Sequence, residues 1–268
     1  MLQAVIVPGS LAEAQAVLGS RKGAAIIAGG TAVMPVLNYG TDDFTTLVSL
    51  RKAGLSGISI DAGKATIGAA TTLATMQAED QLAFLAPALD AIASPTIRNM
   101  ATVGGNLFVK QPYGDLAACL IALGASASIA TSKDMRAAPV EQVVRGLAPG
   151  EIVTEVSFPI PPAGSFRFAK AGRKAFNSAA VVTVAAVVSV ADGVVAECRI
   201  GLGGVGLLAM RAPSVEQALL GKPFDRANVE TAAKQAANDI APTDDAYASA
   251  WYRARVTPVH IRRALLGE

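Results

Sequence analysis

Residues 26–32 read IIAGGTA, an apolar run that ends in two adjacent glycines. Residues 101–107, ATVGGNL, place a second glycine pair in a similar setting. Consecutive glycines let the backbone adopt positive φ and approach a ligand closely, so that successive N–H groups can form an anion-binding nest. One such pair is more often a tight turn without a ligand. Two pairs of the same form favour a single shared ligand, and pyrophosphate is the group that we expect.

Polar side chains accompany both glycine pairs. Thr31 adds a hydroxyl donor to the first loop, and Thr102 and Asn106 flank the second pair. Two loops of this kind from different parts of the chain could clamp one dinucleotide between them.

The pattern around these loops predicts an α+β protein of three parts. In residues 1–55 we expect three strands and a helix from Leu11 to about Leu18, with Ser10 as its N-cap and Glu13 three positions later. In residues 56–162 we expect an antiparallel pair of strands and helical segments at 72–78 and 82–93. An irregular polar stretch at 96–107 and a helix from Asp115, followed by a strand, should come next.

A Pro161-Pro162 pair marks the boundary to the third part, residues 163–268. We expect three strands there, two of them joined by a hairpin turn at Asp192-Gly193. Three helices that begin near Ser214, Asp225 and Asp244 complete the chain.

Composition disfavours several classes of protein. The net charge of +2 is spread along the chain without a Lys/Arg block, which disfavours nucleic-acid binding. The longest apolar tract, 179–191, is too short for a membrane span and is rich in β-branched residues, so we interpret it as a buried strand. The N-terminus has no basic region before a cleavage pattern, and we therefore expect a cytoplasmic protein.

The chain is poor in catalytic and metal-binding side chains. It contains one histidine, His260, and two cysteines, Cys119 and Cys198, both in apolar segments. This disfavours Ser-His-Asp catalysis, a multi-histidine metal site and an iron–sulfur cluster held by this chain alone. We predict inert thiols, no catalytic side chain and no metal site, so that a cofactor must supply the chemistry.

Residues 201–206, GLGGVG, match the dinucleotide-binding pattern G-x-G-x-x-G. A Rossmann loop must open a helix that packs on a parallel sheet, but here the preceding strand arrives through a hairpin and Pro213 follows soon afterwards. We interpret this segment as a glycine-rich sheet end.

Taken in order, several motifs resemble one family. AGGTA followed by VMP, SPTIRNMATVGGNL, YGDLAACLIALGA, RKAF before a long apolar strand, IGLGGVG and a terminal DDAYASAWYR occur in the order found in FAD-binding subunits of molybdenum hydroxylases. The resemblance covers nearly the whole chain and is most specific in RNMATVGGNL. It implies a vanillyl-alcohol-oxidase-type FAD-binding fold of two α+β subdomains, followed by a C-terminal domain like that of the carbon monoxide dehydrogenase flavoprotein.

The resemblance also implies contacts to a non-covalently bound FAD. Asp115, in YGDLA, resembles the family aspartate that binds the adenosine part, with a helix N-cap as the alternative. Lys170 resembles a lysine near the flavin, with a solvated lysine on a strand edge as the alternative, and Val153 resembles an apolar backbone contact. The predicted pyrophosphate loops comprise Ala28, Gly29, Gly30, Thr31, Ala32 and Val33 in the first, and Thr102, Gly104, Gly105 and Asn106 in the second.

By the same resemblance, the chain is an oxidoreductase subunit that passes electrons from [2Fe–2S] clusters through FAD to NAD⁺, oxygen, a quinone or another acceptor. The expected partners are a small [2Fe–2S] subunit and a large molybdopterin-binding subunit, assembled as a dimer of heterotrimers. One alternative is a self-contained flavin reductase or oxidase of the same fold, which the DDAYASAWYR tail disfavours. Another is a scaffold that has lost FAD, which the intact glycine pairs and Asp115 disfavour.

Overall fold

A computed structural model describes residues 2–40, 44–174 and 177–268. Both helices and strands are well represented, which confirms the predicted α+β class. The last two residues of the RKAF motif, Ala175 and Phe176, lie outside the described residues. The chain forms two compact units, of which the first contains Met1–Glu79, Pro95–Phe108 and Ser126–Ser157, and the second Asp80–Ser94, Val109–Ala125 and Phe158–Glu268.

The first unit contains a three-stranded parallel sheet in the order β1-β3-β2. Its Ser10 caps the first helix as predicted, because Oγ of Ser10 accepts the N–H of Glu13 at 3.2 Å. The first glycine pair follows β2 at the carboxyl end of this sheet. The elements are β1 (Ala4–Ile6), α1 (Leu11–Ser20), β2 (Ala24–Ile27), α2 (Val33–Tyr39), β3 (Thr46–Ser49) and a 3-10 turn at Leu50–Lys52.

A second sheet of five strands, in the order β4-β5-β8-β6-β7, completes the first unit. Its antiparallel β4–β5 pair matches the predicted one. The strands are β4 (Ile58–Asp61), β5 (Lys64–Gly68), β6 (Ser126–Ala130), β7 (Met135–Pro139) and β8 (Ile152–Pro159), and four short helices accompany them, α3 (Leu73–Gln77), α5 (Pro95–Arg98), α6 (Val103–Asn106) and α8 (Val140–Val143).

The stretch 96–107 was expected to be irregular, and this prediction is wrong. Two helical turns, α5 and α6, occupy most of it. Thr102 caps α6, since its Oγ1 accepts the N–H of Gly105 at 3.1 Å. Two glycines disfavour a helix in isolation, so the turn depends on this cap and on the backbone contacts of its first residues with the rest of the unit.

An antiparallel sheet in the order β12-β11-β10-β9 forms the centre of the second unit. The predicted hairpin turn is confirmed, with φ of 51° at Asp192 and 77° at Gly193. Apolar side chains of β10 and β11 form a core together with the last helices. The strands are β9 (Phe166–Gly172), β10 (Ala180–Ala191), β11 (Val194–Gly203) and β12 (Met210–Arg211).

The described residues of the second unit form five helices. The predicted helix at 82–93 is instead a 3-10 turn at Asp80–Leu85 followed by a short helix with Pro87 in its first turn. The predicted third terminal helix begins six residues later than Asp244, because Ser249 is its N-cap. The helices are α4 (Ala86–Asp90), α7 (Asp115–Ala122), α9 (Pro213–Leu219), α10 (Arg226–Ala233) and α11 (Ala250–Leu266), and a 3-10 turn occupies Lys234–Asn238.

The three sheets lie within the three predicted ranges, 1–55, 56–162 and 163–268. The second unit nevertheless takes α4 and α7 from the middle range. The boundaries of the three-part division remain predictions.

A close backbone contact joins α7 to the sheet of the second unit. A Cβ added to Gly201 in β11 would lie 2.0 Å from the carbonyl oxygen of Ala118 in α7. Because that neighbour is backbone, no side-chain rotation could relieve the clash. Gly201, the first glycine of GLGGVG, is therefore required for packing of the helix on the sheet.

Gly201→Ala should lower the free energy of unfolding by about 3 kcal/mol, because α7 must shift away from β11. Urea unfolding followed by circular dichroism would measure the change. Gly19→Ala is the matched control, since Gly19 lies in α1 with no atom near its missing Cβ, and alanine there should be neutral or stabilising by up to about 1 kcal/mol. Wild-type stability of Gly201→Ala would contradict the packing argument.

Candidate functional site

The first glycine loop joins β2 to α2 and has unpaired backbone donors. Gly30 adopts a left-handed φ of 75°, which glycine accommodates without strain. The N–H groups of Gly29, Gly30, Thr31 and Ala32 donate to no acceptor within the described part of the chain, and neither does the Thr31 hydroxyl. Four consecutive N–H groups therefore remain available to an anion.

The second glycine loop differs in this respect. The N–H of Gly104 donates to the carbonyl of Ala69 at 2.8 Å, and the N–H of Gly105 donates to Oγ1 of Thr102 at 3.1 Å. The prediction that this pair offers its own N–H groups in a nest is therefore wrong at both glycines. Gly104 instead allows close packing, because an added Cβ would lie 2.8 Å from Cβ of Ala69.

The two loops lie side by side within the first unit. A Cβ added to Gly29 would lie 1.8 Å from the carbonyl oxygen of Met100, immediately before the second loop. A Cβ on Gly105 would lie 3.9 Å from Cβ of Ala28. The structure therefore brings together two segments that are about seventy residues apart in sequence, as the single-ligand hypothesis requires.

Asn106 adds an unsatisfied acceptor beside these loops. The residue is 7% exposed, and its Oδ1 is buried without a hydrogen-bond partner in the part of the chain that the structure describes. An unpaired buried polar atom costs about 1–3 kcal/mol, so a ligand that donated a hydrogen bond here would remove a penalty. Val153, the predicted apolar contact, is buried in β8 opposite Ile129 of β6, and its role remains a prediction.

Asp115 and Lys170 form a buried ion pair in the second unit. Nζ of Lys170 lies 2.7 Å from Oδ2 of Asp115 and also donates to the carbonyl of Ala91 at 2.9 Å. The side chain of Asp115 is 6% exposed and that of Lys170 is 10% exposed. Lys170 is therefore not the solvated lysine on a strand edge that the alternative interpretation predicted. Asp115 is the first residue of α7, and Gly114 is the N-cap, so the N-cap interpretation of Asp115 is also wrong.

Two residues of this unit were not singled out from the sequence. Thr183 is fully buried and its hydroxyl donates to Oδ1 of Asp115. Arg253 is 1% exposed, and its guanidinium donates to three backbone carbonyls and to Oδ2 of Asp245. A threonine inside the apolar strand β10 was a signal for the first residue, and the second is the last residue of the DDAYASAWYR motif.

The glycine-rich segment at 201–206 has none of the context of a Rossmann loop. It ends β11, which pairs antiparallel to β10, and the short strand β12 is the next element. The carbonyl of Gly204 accepts from Arg253 at 2.6 Å. The interpretation as a sheet end is confirmed.

The thiols and the histidine are poorly placed for chemistry. Burial, and to a lesser extent the Asp115 carboxylate, raises the pKa of the Cys119 thiol far above its usual range. Burial also raises the pKa of Cys198 to about 12, with the Glu216 carboxylate adding to the rise, and it lowers the pKa of His260. In residues 2–40, 44–174 and 177–268 there is no group of three His, Cys, Asp or Glu side chains that could hold a metal ion.

None of the helices described here is both long enough and apolar enough to cross a membrane.

Two family models together match almost the whole chain. The FAD-binding domain of molybdopterin dehydrogenases matches residues 2–161, and the C-terminal domain of the carbon monoxide dehydrogenase flavoprotein matches residues 166–267. These matches confirm the predicted architecture of an FAD-binding part followed by a C-terminal flavoprotein domain.

Individual relatives show the same similarity. The carbon monoxide dehydrogenase medium chain of Afipia carboxidovorans is 30% identical over 96% of this chain and 93% of its own length. A putative xanthine dehydrogenase FAD-binding subunit of Escherichia coli K12 is 29% identical over 96% of this chain and 92% of its own. A solved carbon monoxide dehydrogenase chain from Hydrogenophaga pseudoflava superposes with a TM-score of 0.94 at 29% identity, covering 99% of this chain and 96% of that one.

The two adjoining glycine loops, including the donors of the first, therefore lie in an FAD-binding domain. The chain belongs to the FAD-binding medium subunits of the molybdenum hydroxylase family, the oxidoreductase family of the xanthine dehydrogenase and carbon monoxide dehydrogenase flavoproteins.

Proposed function

We propose that this chain is the electron-transfer subunit of a cytoplasmic molybdenum hydroxylase complex. The bound FAD would supply the redox chemistry, taking electrons from the [2Fe–2S] clusters of a small partner subunit and giving them to NAD⁺, oxygen, a quinone or another acceptor. A large partner subunit would carry molybdopterin, and the assembly would be a dimer of heterotrimers. Relatives named as medium chains support this proposal.

The observation that carries the proposal is the pairing of the two glycine loops. The first loop offers four consecutive N–H groups and the Thr31 hydroxyl, and hydrogen bonds of this kind to a charged phosphate are the strong ones. The second loop is capped by Thr102 and contains Oδ1 of Asn106, which is buried without a partner in the described residues. We therefore assign the pyrophosphate of FAD to the first loop, residues 28–33. The second loop lies beside the first and forms one side of the proposed site.

A pyrophosphate offers acceptors only, so the free oxygen of Asn106 calls for a different part of the ligand. A hydroxyl of the ribityl or ribose chain would satisfy it, because a hydroxyl can donate. Asp115, Val153 and Lys170 complete the proposed contacts to FAD, as the family resemblance implies.

The proposal includes partner subunits because the cysteines of this chain are poorly suited to hold an iron–sulfur cluster. The sequence contains two cysteines, whereas a [2Fe–2S] cluster is held by four ligands. Both thiols also have raised pKa values, which disfavours the thiolate form that binds metals. We accordingly place the iron–sulfur and molybdenum sites on other chains.

The proposal is tested by purifying the full chain co-expressed with its genomic neighbours. We expect combined flavin and [2Fe–2S] absorbance, FAD in the released cofactor by mass spectrometry, and two additional polypeptides. FAD on a stable lone chain would instead support a self-contained flavin reductase or oxidase and overturn the proposed assembly.

Thr31→Val should weaken FAD binding about ten-fold, because a hydroxyl bonded to a charged group contributes more than 1 kcal/mol. The stability of the apoprotein should not fall, since this hydroxyl has no partner in the described residues. Titration of the apoprotein with FAD, followed by flavin fluorescence, gives the dissociation constant. Thr31→Ser keeps the hydroxyl and should bind FAD with the dissociation constant of the wild type.

Thr66→Val is the matched control for Thr31→Val. Thr66 is a half-buried threonine of β5 in the same unit, and its hydroxyl likewise has no partner among the residues described. Equal loss of FAD affinity in both valine variants would argue against a role for Thr31 in the loop.

Asn106→Asp places a negative charge in the buried position beside the proposed pyrophosphate site. We expect FAD affinity to fall about ten-fold or more, because a carboxylate close to the pyrophosphate repels its negative charge. Asn99→Asp adds the same charge at an exposed position nearby in sequence and should change affinity little. A folded Asn106→Asp protein that bound FAD as tightly as the wild type would refute the placement of the pyrophosphate beside this loop.

A further inference from the structure

Strand β10 carries one polar side chain in its most deeply buried stretch. Thr183 is 0% exposed and is surrounded in sequence by valine and alanine. In the antiparallel register, Thr183 lies directly opposite Lys170 of β9. The two side chains therefore project from neighbouring positions on the same face of the sheet.

Both side chains donate to the same carboxylate. The Thr183 hydroxyl donates to Oδ1 of Asp115, and Nζ of Lys170 donates to Oδ2 at 2.7 Å. Lys170 is itself held by the carbonyl of Ala91, which follows α4. The first residue of α7 is thus bonded through each of its carboxylate oxygens to a different strand of the sheet.

The two donors have different consequences for the carboxylate. Lys170 supplies the opposite charge that a buried carboxylate needs. Rotation about χ2 of an aspartate has only a broad energy profile, so one donor on one oxygen leaves the plane of the group loosely defined. A second donor on the other oxygen fixes that plane, and it leaves one lone-pair site on each oxygen for further donors.

We propose that Thr183 is a positioning residue for FAD, acting through Asp115. It fixes the carboxylate plane so that the free lone pairs are oriented to accept hydroxyl donors of the adenosine ribose. This inference rests on the proposed function, in which Asp115 binds the adenosine part of FAD. No FAD contact is assigned to Thr183 itself.

The test compares Thr183→Val with Thr257→Val in the affinity-purified full chain, together with any subunits that accompany it. Thr257 is the matched control, because it is also a fully buried threonine of the second unit, with its hydroxyl bonded to the carbonyl of Arg253 at 2.6 Å. Thr183→Val should weaken FAD binding about ten-fold, which is of the order of one hydrogen bond to a charged group. Thr183→Ser should bind FAD like the wild type.

We would measure the FAD dissociation constant and the unfolding midpoint of the apoprotein for each variant. Together they distinguish a role in positioning Asp115 from a role in stability alone. Thr257→Val should lower the midpoint and leave the dissociation constant unchanged. If both valine variants lose stability and FAD affinity to the same degree, Thr183 has a structural role only and the inference is overturned. Unchanged FAD affinity in Thr183→Val would overturn it as well.

A double-mutant cycle tests the route through Asp115. In an Asp115→Ala background Thr183→Val should have little further effect on FAD affinity, because no carboxylate remains to be oriented. A full additional loss would show that Thr183 acts independently of Asp115. If Asp115→Ala does not fold, the comparison of Thr183→Val with Thr257→Val decides. A wild-type chain that bound no FAD would instead refute the proposed function, so the two failures are distinguishable.

Discussion

The candidate site depends on the absence of a side chain at Gly29. The backbone of the first loop approaches the carbonyl of Met100 so closely that no Cβ fits between them. This contact fixes the distance between two loops that the sequence separates widely, and Gly104 makes a second approach of the same kind at Ala69. Any larger residue at Gly29 would separate the loops before it affected a ligand directly.

The two glycine pairs have the same appearance in the sequence but different roles in the fold. The pair at 29–30 donates its N–H groups to no acceptor among the described residues, whereas the pair at 104–105 uses its N–H groups inside the first unit. A rigid second loop costs the chain little on binding, because its backbone is already ordered by these bonds. The free donors of the first loop, in contrast, gain full hydrogen bonds only when an anion is present.

Local chemistry made part of this structure predictable. The Ser10 cap and the Asp192-Gly193 turn were correctly predicted because each depends on a few neighbouring residues. The helical turn α6 and the carbonyl partners of Arg253 were not, because they are set by residues distant in sequence. The glycines of the site were recognised from their pattern, but which N–H groups stay free is decided by tertiary contacts.

The buried cluster at the start of α7 is poorly explained by stability alone. A buried ion pair gains little over well-packed apolar residues of the same volume, since desolvation offsets most of the attraction. The residues that flank Lys170 and Thr183 along their strands are alanine and valine, so such a replacement would match their surroundings. The sheet instead holds a charged carboxylate with a separate donor on each oxygen. A carboxylate whose orientation is fixed before binding loses less conformational entropy when a ligand binds to it. Binding, rather than packing, therefore explains this arrangement.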